Sequence, residues 1–159
     1  MPGPELSPPA WERHVLADPP AVVGALRREL VAYARQLGAS EDSCDAIALA
    51  VSEALTNVVR HAYLGQEPGP IIIEARPEGL DRLLVRVCDE GRGPLPRADS
   101  PGLGLGLGVM AQVAEEFSIS TRHGRRGTVV TLGFSLRDRD PSTPEGDASG
   151  AGASAMQIS

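Results

Sequence analysis

Glu53, Asn57 and His61 follow one another at intervals of four residues, beside a run of apolar positions. In a helix this spacing places the three polar side chains along one edge of the buried face. A carboxylate in such a row can orient or deprotonate a hydroxyl or a water, and the amide oxygen of Asn57 is a ligand that Mg²⁺ accepts. Taken alone, the row also fits a solvent-exposed helix face. His61 is expected to lie on the helix face or to support its neighbours rather than to catalyse.

Asp89 stands at the end of an apolar run, 83–88, and opens a turn that contains Gly91 and Gly93. By itself this is an ordinary glycine-rich turn. A carboxylate at the end of a strand can also accept a hydrogen bond from an exocyclic amine such as that of adenine, because neighbouring glycines let a flat ring approach the backbone. The turn is therefore a candidate site for a nucleotide base.

Glycine occupies every second position from 102 to 108. This spacing is not GxGxxG and it follows a loop, so it does not predict a dinucleotide-binding fold. A glycine-rich loop that leads into a helix suits phosphate, since backbone N–H groups can converge on it and the helix N-terminus adds partial positive charge. The alternative interpretation is a flexible linker.

The sequence contains no lysine, and its net charge is −6. The absence of lysine excludes a P-loop of the GxxxxGK[ST] type and Schiff-base chemistry, so a phosphate must be held by arginine, backbone N–H groups, a helix terminus or a divalent cation. The negative charge argues against nucleic-acid binding, which needs a basic face. Cys44 and Cys88 lack the spacing of a CxxC motif or a disulfide framework and are predicted to be buried thiols.

Hydrophobic residues make up 42% of the chain, but no run approaches the roughly 20 apolar residues of a membrane span. Residues 1–9 also lack the basic and then apolar pattern of a signal peptide. We therefore expect a cytoplasmic protein that does not contact a membrane.

Periodicity and capping residues predict the elements that must position these side chains. A first helix is expected between a cap at Asp18 and a stop at Gly38, and a second helix is expected to begin after Ser40. A short helix at 109–115 stands between two predicted hairpins, whose strands are 71–75 with 83–88 and 117–121 with 128–134. This order predicts an α+β fold, a two-layer sandwich of about three helices on a mixed, mostly antiparallel sheet.

One domain is expected at this length, from residue 12 to residue 136. Residues 1–11 are rich in proline and are predicted to form a flexible N-terminus. Residues 137–159 carry hardly any large apolar side chains, so burial cannot offset the entropy cost of ordering them. We predict that they form a disordered tail.

Taken together and in order, the segments 53–63, 89–93, 102–108 and 127–128 resemble the four sequence boxes of the GHKL ATPase superfamily. Within it, the first box is most similar to that of the bacterial anti-sigma-factor serine kinases. The resemblance extends from about residue 12 to residue 135. It implies the GHKL ATP-binding fold, with ATP and Mg²⁺ as ligands.

The resemblance also implies roles for individual residues. Glu53 would be the general base that activates the acceptor hydroxyl, and Asn57 would ligate Mg²⁺. Asp89 would bind the adenine amine, with Gly93 leaving room for the ring and Thr128 supporting it through its hydroxyl or a water. Arg92 or Arg97 would reach the phosphates. The nucleotide-binding residues implied in this way are Asn57, Asp89, Gly91, Gly93, Gly102, Gly104, Gly106, Gly108 and Thr128.

In that family the substrate is a serine of a small STAS-type antagonist, the second partner is a sigma factor, and the proteins are often homodimers. The resemblance thus predicts an ATP-dependent protein serine/threonine kinase that also acts as an anti-sigma factor. The alternative hypothesis is a nucleotide-dependent binding module without significant transfer, although such a module would not need Glu53 as a base. The ATPase half of a histidine kinase is disfavoured, because no long preceding helix carries a phosphoacceptor histidine.

Overall fold

The computed structural model describes residues 11–92 and 103–138, and for 103–105 it describes the backbone alone. These residues form five strands, three α-helices and one π-helical turn. In chain order the elements are β1 (Trp11–Leu16), α1 (Val22–Gln36), α2 (Glu41–Asn57), the π-helical turn (Val58–Ala62), β2 (Pro70–Glu78), β3 (Arg82–Asp89), α3 (Leu103–Val113), β4 (Glu116–Thr121) and β5 (Thr128–Ser135).

The strands form one sheet in the order β1-β2-β3-β5-β4, and each neighbouring pair is antiparallel. The two predicted hairpins are present, and β5 lies between β3 and β4 because it pairs with both. The register places Cys88 opposite Val129. As a result, Asp89 at the end of β3 lies beside Thr128 at the start of β5.

Buried residues alternate along the central strands, as expected for a sheet with one face against a helical layer. Helix α2 lies at the centre of that layer, where it contacts α1, α3 and β5. The largest fully buried side chains of the described residues are Phe134, Leu30, Ile47, Leu55, Ile71, Ile73, Leu83, Met110, Leu132, Val51, Val85 and Val87. The two-layer α+β prediction is confirmed.

The capping prediction for α2 is also confirmed. The Ser43 backbone N–H donates to Ser40 Oγ (3.1 Å), and Gly38, which ends the preceding segment, has a φ of 90° that suits glycine. The predicted cap at Asp18 is wrong: α1 begins at Val22, and its N-cap, Ala21, makes no side-chain hydrogen bond. The chain first makes a turn, in which the Val22 N–H donates to the Pro19 carbonyl (3.0 Å).

Strand β1 was not predicted from the sequence. Its middle residues are polar and exposed on both faces, so it lacks the alternation that marks a half-buried strand. It forms because β2 offers a free edge, with Trp11 opposite Ala75. Trp11 is buried and stacks on Tyr33 at 6.4 Å, which corrects the predicted flexible segment 1–11 at its last residue.

Leu136 is the last buried residue that the structure describes, and its N–H donates to the Asp81 carbonyl (2.7 Å). Arg137 and Asp138 are exposed. The rest of the predicted tail, 139–159, and the predicted flexible residues 1–10 lie outside the described residues. Within the described ranges, no helix is long and apolar enough to cross a membrane.

Candidate functional site

The side chains of Glu53 and Asn57 converge under helix α3. Both are partly buried on the last turns of α2, and the facing residue on α3 is the buried Gly106. A Cβ added to Gly106 would lie 2.9 Å from Glu53 Oε2 and 3.4 Å from both Asn57 Oδ1 and Nδ2. Glycine at this position therefore lets α3 approach a carboxylate and an amide that meet at one point.

Beyond Asn57, the helix continues as the π-helical turn, a feature frequent at functional sites. At its end, the Ala62 carbonyl accepts a hydrogen bond from the Arg92 backbone N–H (3.0 Å). A Cβ on Gly91 would lie 2.6 Å from the Ala62 carbonyl carbon and 2.8 Å from its Cβ, so only glycine fits there. The end of α2 is thus joined directly to residues 89–92, here called the Asp89 turn.

Asp89 is a buried carboxylate, 6% exposed, at the end of β3. Its Oδ1 accepts the Gly91 backbone N–H (2.8 Å), and the carboxylate also accepts the backbone N–H of Thr128. Burial raises the pKa of the Asp89 carboxyl, while these two N–H groups and Arg122 act in the opposite direction. Two hydrogen bonds leave a carboxylate with further lone pairs, so it can accept one from a ligand.

Gly127 brings β5 against the Asp89 turn. Its φ is 117°, and a Cβ on it would overlap the Asp89 carbonyl and lie 2.9 Å from Glu90 Cα. This close approach allows the Thr128 N–H to reach the Asp89 carboxylate. In the structure, therefore, Thr128 supports Asp89 through its backbone N–H. The predicted contact of Thr128 with the base, through its hydroxyl or a water, stays a prediction.

Tyr63 follows the π-helical turn, and no role was predicted for it from the sequence. Its buried hydroxyl donates to the Pro70 carbonyl (2.6 Å) and accepts the Glu90 backbone N–H (2.8 Å). Nothing local in the sequence indicates these partners, because Glu90 is 27 residues away in the chain.

The predicted glycine-leucine loop is helical from Leu103 onward, so α3 begins six residues before the predicted start at 109. Glycine disfavours helix by about 1 kcal/mol per residue relative to alanine, but tertiary packing overrides this propensity. Here α3 packs against α2, with Gly106 facing Glu53 and Asn57, and its Met110 is fully buried in the core. Gly104 lies in the first turn of α3, and Gly108 faces open space. Three other predicted residues, Gly93, Arg97 and Gly102, lie outside the described residues.

His61, Cys44 and Cys88 are the other titratable residues that the sequence analysis considered. Burial, together with nearby Arg60 and Arg92, lowers the pKa of His61, which therefore favours the neutral imidazole. Cys44 and Cys88 are buried free thiols, as predicted, and burial raises the pKa of each. In the part of the chain that the structure describes, no cluster of three histidine, cysteine, aspartate or glutamate side chains could hold a metal ion.

The sequence and the fold define an ATPase-type domain. Residues 16–134 match the family described as the histidine kinase-like ATPase domain. The chain belongs to that family, which confirms the GHKL resemblance.

Similar proteins include serine-protein kinases named RsbW. The one from Bacillus velezensis is 32% identical over 123 residues, which cover 66% of this chain and 74% of that protein. The one from Listeria innocua is 40% identical over 72 residues, only 45% of either chain. A crystal structure of the RsbU and RsbW domains of a Mycobacterium tuberculosis protein superimposes with a TM-score of 0.59 and 25% identity. The superposition covers 82% of this chain and 34% of the Mycobacterium tuberculosis chain.

Proposed function

We propose that this chain is an ATP-dependent protein serine kinase that phosphorylates a STAS-type antagonist and sequesters a sigma factor. The observation that carries the proposal is the meeting of the Glu53 carboxylate and the Asn57 amide under Gly106, at the end of the helix that holds the Asp89 turn. The name of the similar proteins, serine-protein kinase, supports the same reaction.

The Asp89 turn would bind the base. The carboxylate is buried, is held by two backbone N–H groups and retains lone pairs for an exocyclic amine. Gly91 and Gly127 bring the surrounding backbone close to it. This arrangement suits a flat ring that donates one hydrogen bond to Asp89, and Gly93 stays a prediction for the room that the ring needs.

Asn57 at the end of α2 fits a magnesium ligand, because its side-chain amide carries a hard oxygen donor and faces α3 at Gly106. A bound Mg²⁺ would supply positive charge that offsets the negative charge of the phosphates. Asn57 would hold the ion. Glu53 would accept the proton of the attacking serine hydroxyl.

Helix α3 would cover the phosphates. Because it begins at Leu103, the backbone N–H groups of its first turn, including that of Gly104, have no partner within the helix. Such a terminus attracts anions. We propose the N-terminal end of this helix, in place of the predicted loop, as the element that would hold phosphate without a lysine. Gly102, Gly106 and Gly108 would belong to the same cover, and Arg92 or Arg97 would add charge.

The proposal implies a cytoplasmic setting, where ATP, the antagonist and the sigma factor are available. Homodimer formation remains a prediction from the family resemblance. So does the assignment of the serine of a STAS-type protein as the phosphate acceptor.

Calorimetric titration with ATP, with and without Mg²⁺, tests the nucleotide site. We expect Mg²⁺-dependent binding that Asn57→Ala weakens roughly tenfold or more, since the variant loses the oxygen donor proposed for the ion. Gln36→Ala, which removes an exposed amide at the end of α1, is the matched control and should bind like the parent chain. If the parent chain does not bind ATP under either condition, the proposal is wrong and only the fold assignment remains.

Asp89→Asn should weaken ATP binding by about 1.5–3 kcal/mol, roughly 10- to 100-fold, and reduce the preference for ATP over GTP. The charged acceptor is lost, and an amide NH₂ would face the Gly91 or Thr128 N–H groups or the incoming amine. Asp45→Asn, at an exposed position on α2, is the matched control. Fluorescence competition with both nucleotides measures the ratio of the ATP affinity to the GTP affinity. If this ratio is the same in the parent chain and in Asp89→Asn, Asp89 does not read the base.

A further inference from the structure

Tyr63 lies where the end of the π-helical turn, the start of β2 and the Asp89 turn meet. Its hydroxyl bonds only to backbone groups among the described residues: it donates to the Pro70 carbonyl and accepts the Glu90 N–H. Burial raises the pKa of the Tyr63 phenol, so the hydroxyl keeps its proton near neutral pH and remains a donor.

The Tyr63 ring has little freedom to move. A Cβ on Gly69 would lie 2.6 Å from the ring Cζ and 2.9 Å from the hydroxyl oxygen, so the ring occupies the space that a side chain at 69 would need. Tyr63 as a whole is 9% exposed. The phenol is therefore a fixed support between β2 and the Asp89 turn.

Two consecutive residues hold the Asp89 turn from the same side. The Tyr63 hydroxyl accepts the N–H of Glu90, and the Ala62 carbonyl accepts the N–H of Arg92. Between them, the Gly91 N–H donates to Asp89 Oδ1. Three successive N–H groups thus have fixed partners, and the direction of the Asp89 carboxylate depends on where Ala62 and Tyr63 hold its neighbours.

We propose that Tyr63 is a positioning residue for base recognition, whose hydroxyl aims the Asp89 carboxylate at the exocyclic amine of the nucleotide. This inference rests on the proposed function, since it assigns Asp89 to the base. Tyr63 acts through Asp89, and it does so from the segment that begins at Asn57. Tyr63, which would position the base-reading carboxylate, and Asn57, the proposed magnesium ligand, are therefore only six residues apart in the chain.

The test compares Mg²⁺-ATP with Mg²⁺-ITP, which lacks the exocyclic amine. Tyr63→Phe keeps the ring and removes the hydroxyl. We expect it to weaken ATP binding roughly fivefold to tenfold, the size of one neutral hydrogen bond, and to change the affinity for ITP by less than about twofold. Tyr33→Phe, which alters the other of the two tyrosines in the chain, should change neither affinity. In an Asp89→Asn background, Tyr63→Phe should leave the ATP-to-ITP ratio unchanged, because the residue it acts through is already altered.

A second measurement uses the unaltered chain and so does not depend on the folding of a variant. With ¹³Cζ-labelled tyrosine the protein gives two NMR signals, and ATP should shift that of Tyr63 more than ITP does, while that of Tyr33 stays in place. Equal weakening of ATP and ITP by Tyr63→Phe, or a Tyr63 signal that ATP does not move, would overturn the inference and leave the proposed function standing. A parent chain that binds neither nucleotide would overturn both.

Discussion

Replacing Glu53 with alanine should reduce phosphoryl transfer by about 10²- to 10⁴-fold while ATP binding is retained. The carboxylate meets the Asn57 amide under Gly106, at the end of α2 where the acceptor hydroxyl is proposed to lie. A group that only takes a proton during transfer contributes little to the affinity for ATP, so the loss should appear in kcat and not in the dissociation constant.

The measurement combines transfer of labelled phosphate to STAS-domain proteins of the same organism with calorimetry of ATP binding. Asp45→Ala removes a carboxylate from an exposed position of the same helix and should preserve both activities. Unchanged transfer in Glu53→Ala would remove the assignment of the base. A parent chain that binds ATP but transfers no phosphate to any of these proteins would support the binding-module hypothesis instead.

Gly127→Ala should cost about 3 kcal/mol or more of the free energy of unfolding, a large share of the 5–15 kcal/mol typical of a domain. Its Cβ would overlap the Asp89 carbonyl oxygen and come within 2.8 Å of the carbonyl carbon, and both are backbone atoms at the end of strand β3. Relief of the overlap would require β5 to move away from β3, which would break the contact between the Thr128 N–H and Asp89.

Gly124→Ala is the control that separates the steric overlap of the new Cβ from the penalty for placing a side chain at positive φ. Gly124 also has a positive φ, 64°, but a Cβ there would meet no atom within 4 Å, so only the backbone penalty of about 1 kcal/mol applies. Urea denaturation of both variants measures the difference. If the two variants lose the same stability, the close approach of Gly127 to the Asp89 backbone is not what requires glycine there.

Local sequence was sufficient for much of the helical layer. Helix α2 follows from its Ser40 cap and from an apolar stripe at helical spacing, and that spacing also puts Glu53 and Asn57 on neighbouring turns. The hairpins follow from alternating apolar residues and glycine turns such as Gly79, whose φ of 63° only glycine adopts readily. The absence of lysine excluded a P-loop without reference to any structure. Each of these signals lies within a few residues of the element it specifies.

Only the tertiary structure decided the features that depend on distant partners. Strand β1 exists because β2 pairs with it, since its own polar residues give no strand pattern. The glycine-leucine segment from Leu103 becomes helical because α2 offers a surface on which Gly106 fits, although glycine by itself favours a loop. Tyr63 reaches Glu90 across 27 residues. These contacts are set by packing between elements, and packing energies depend on chain segments that no local window of sequence contains.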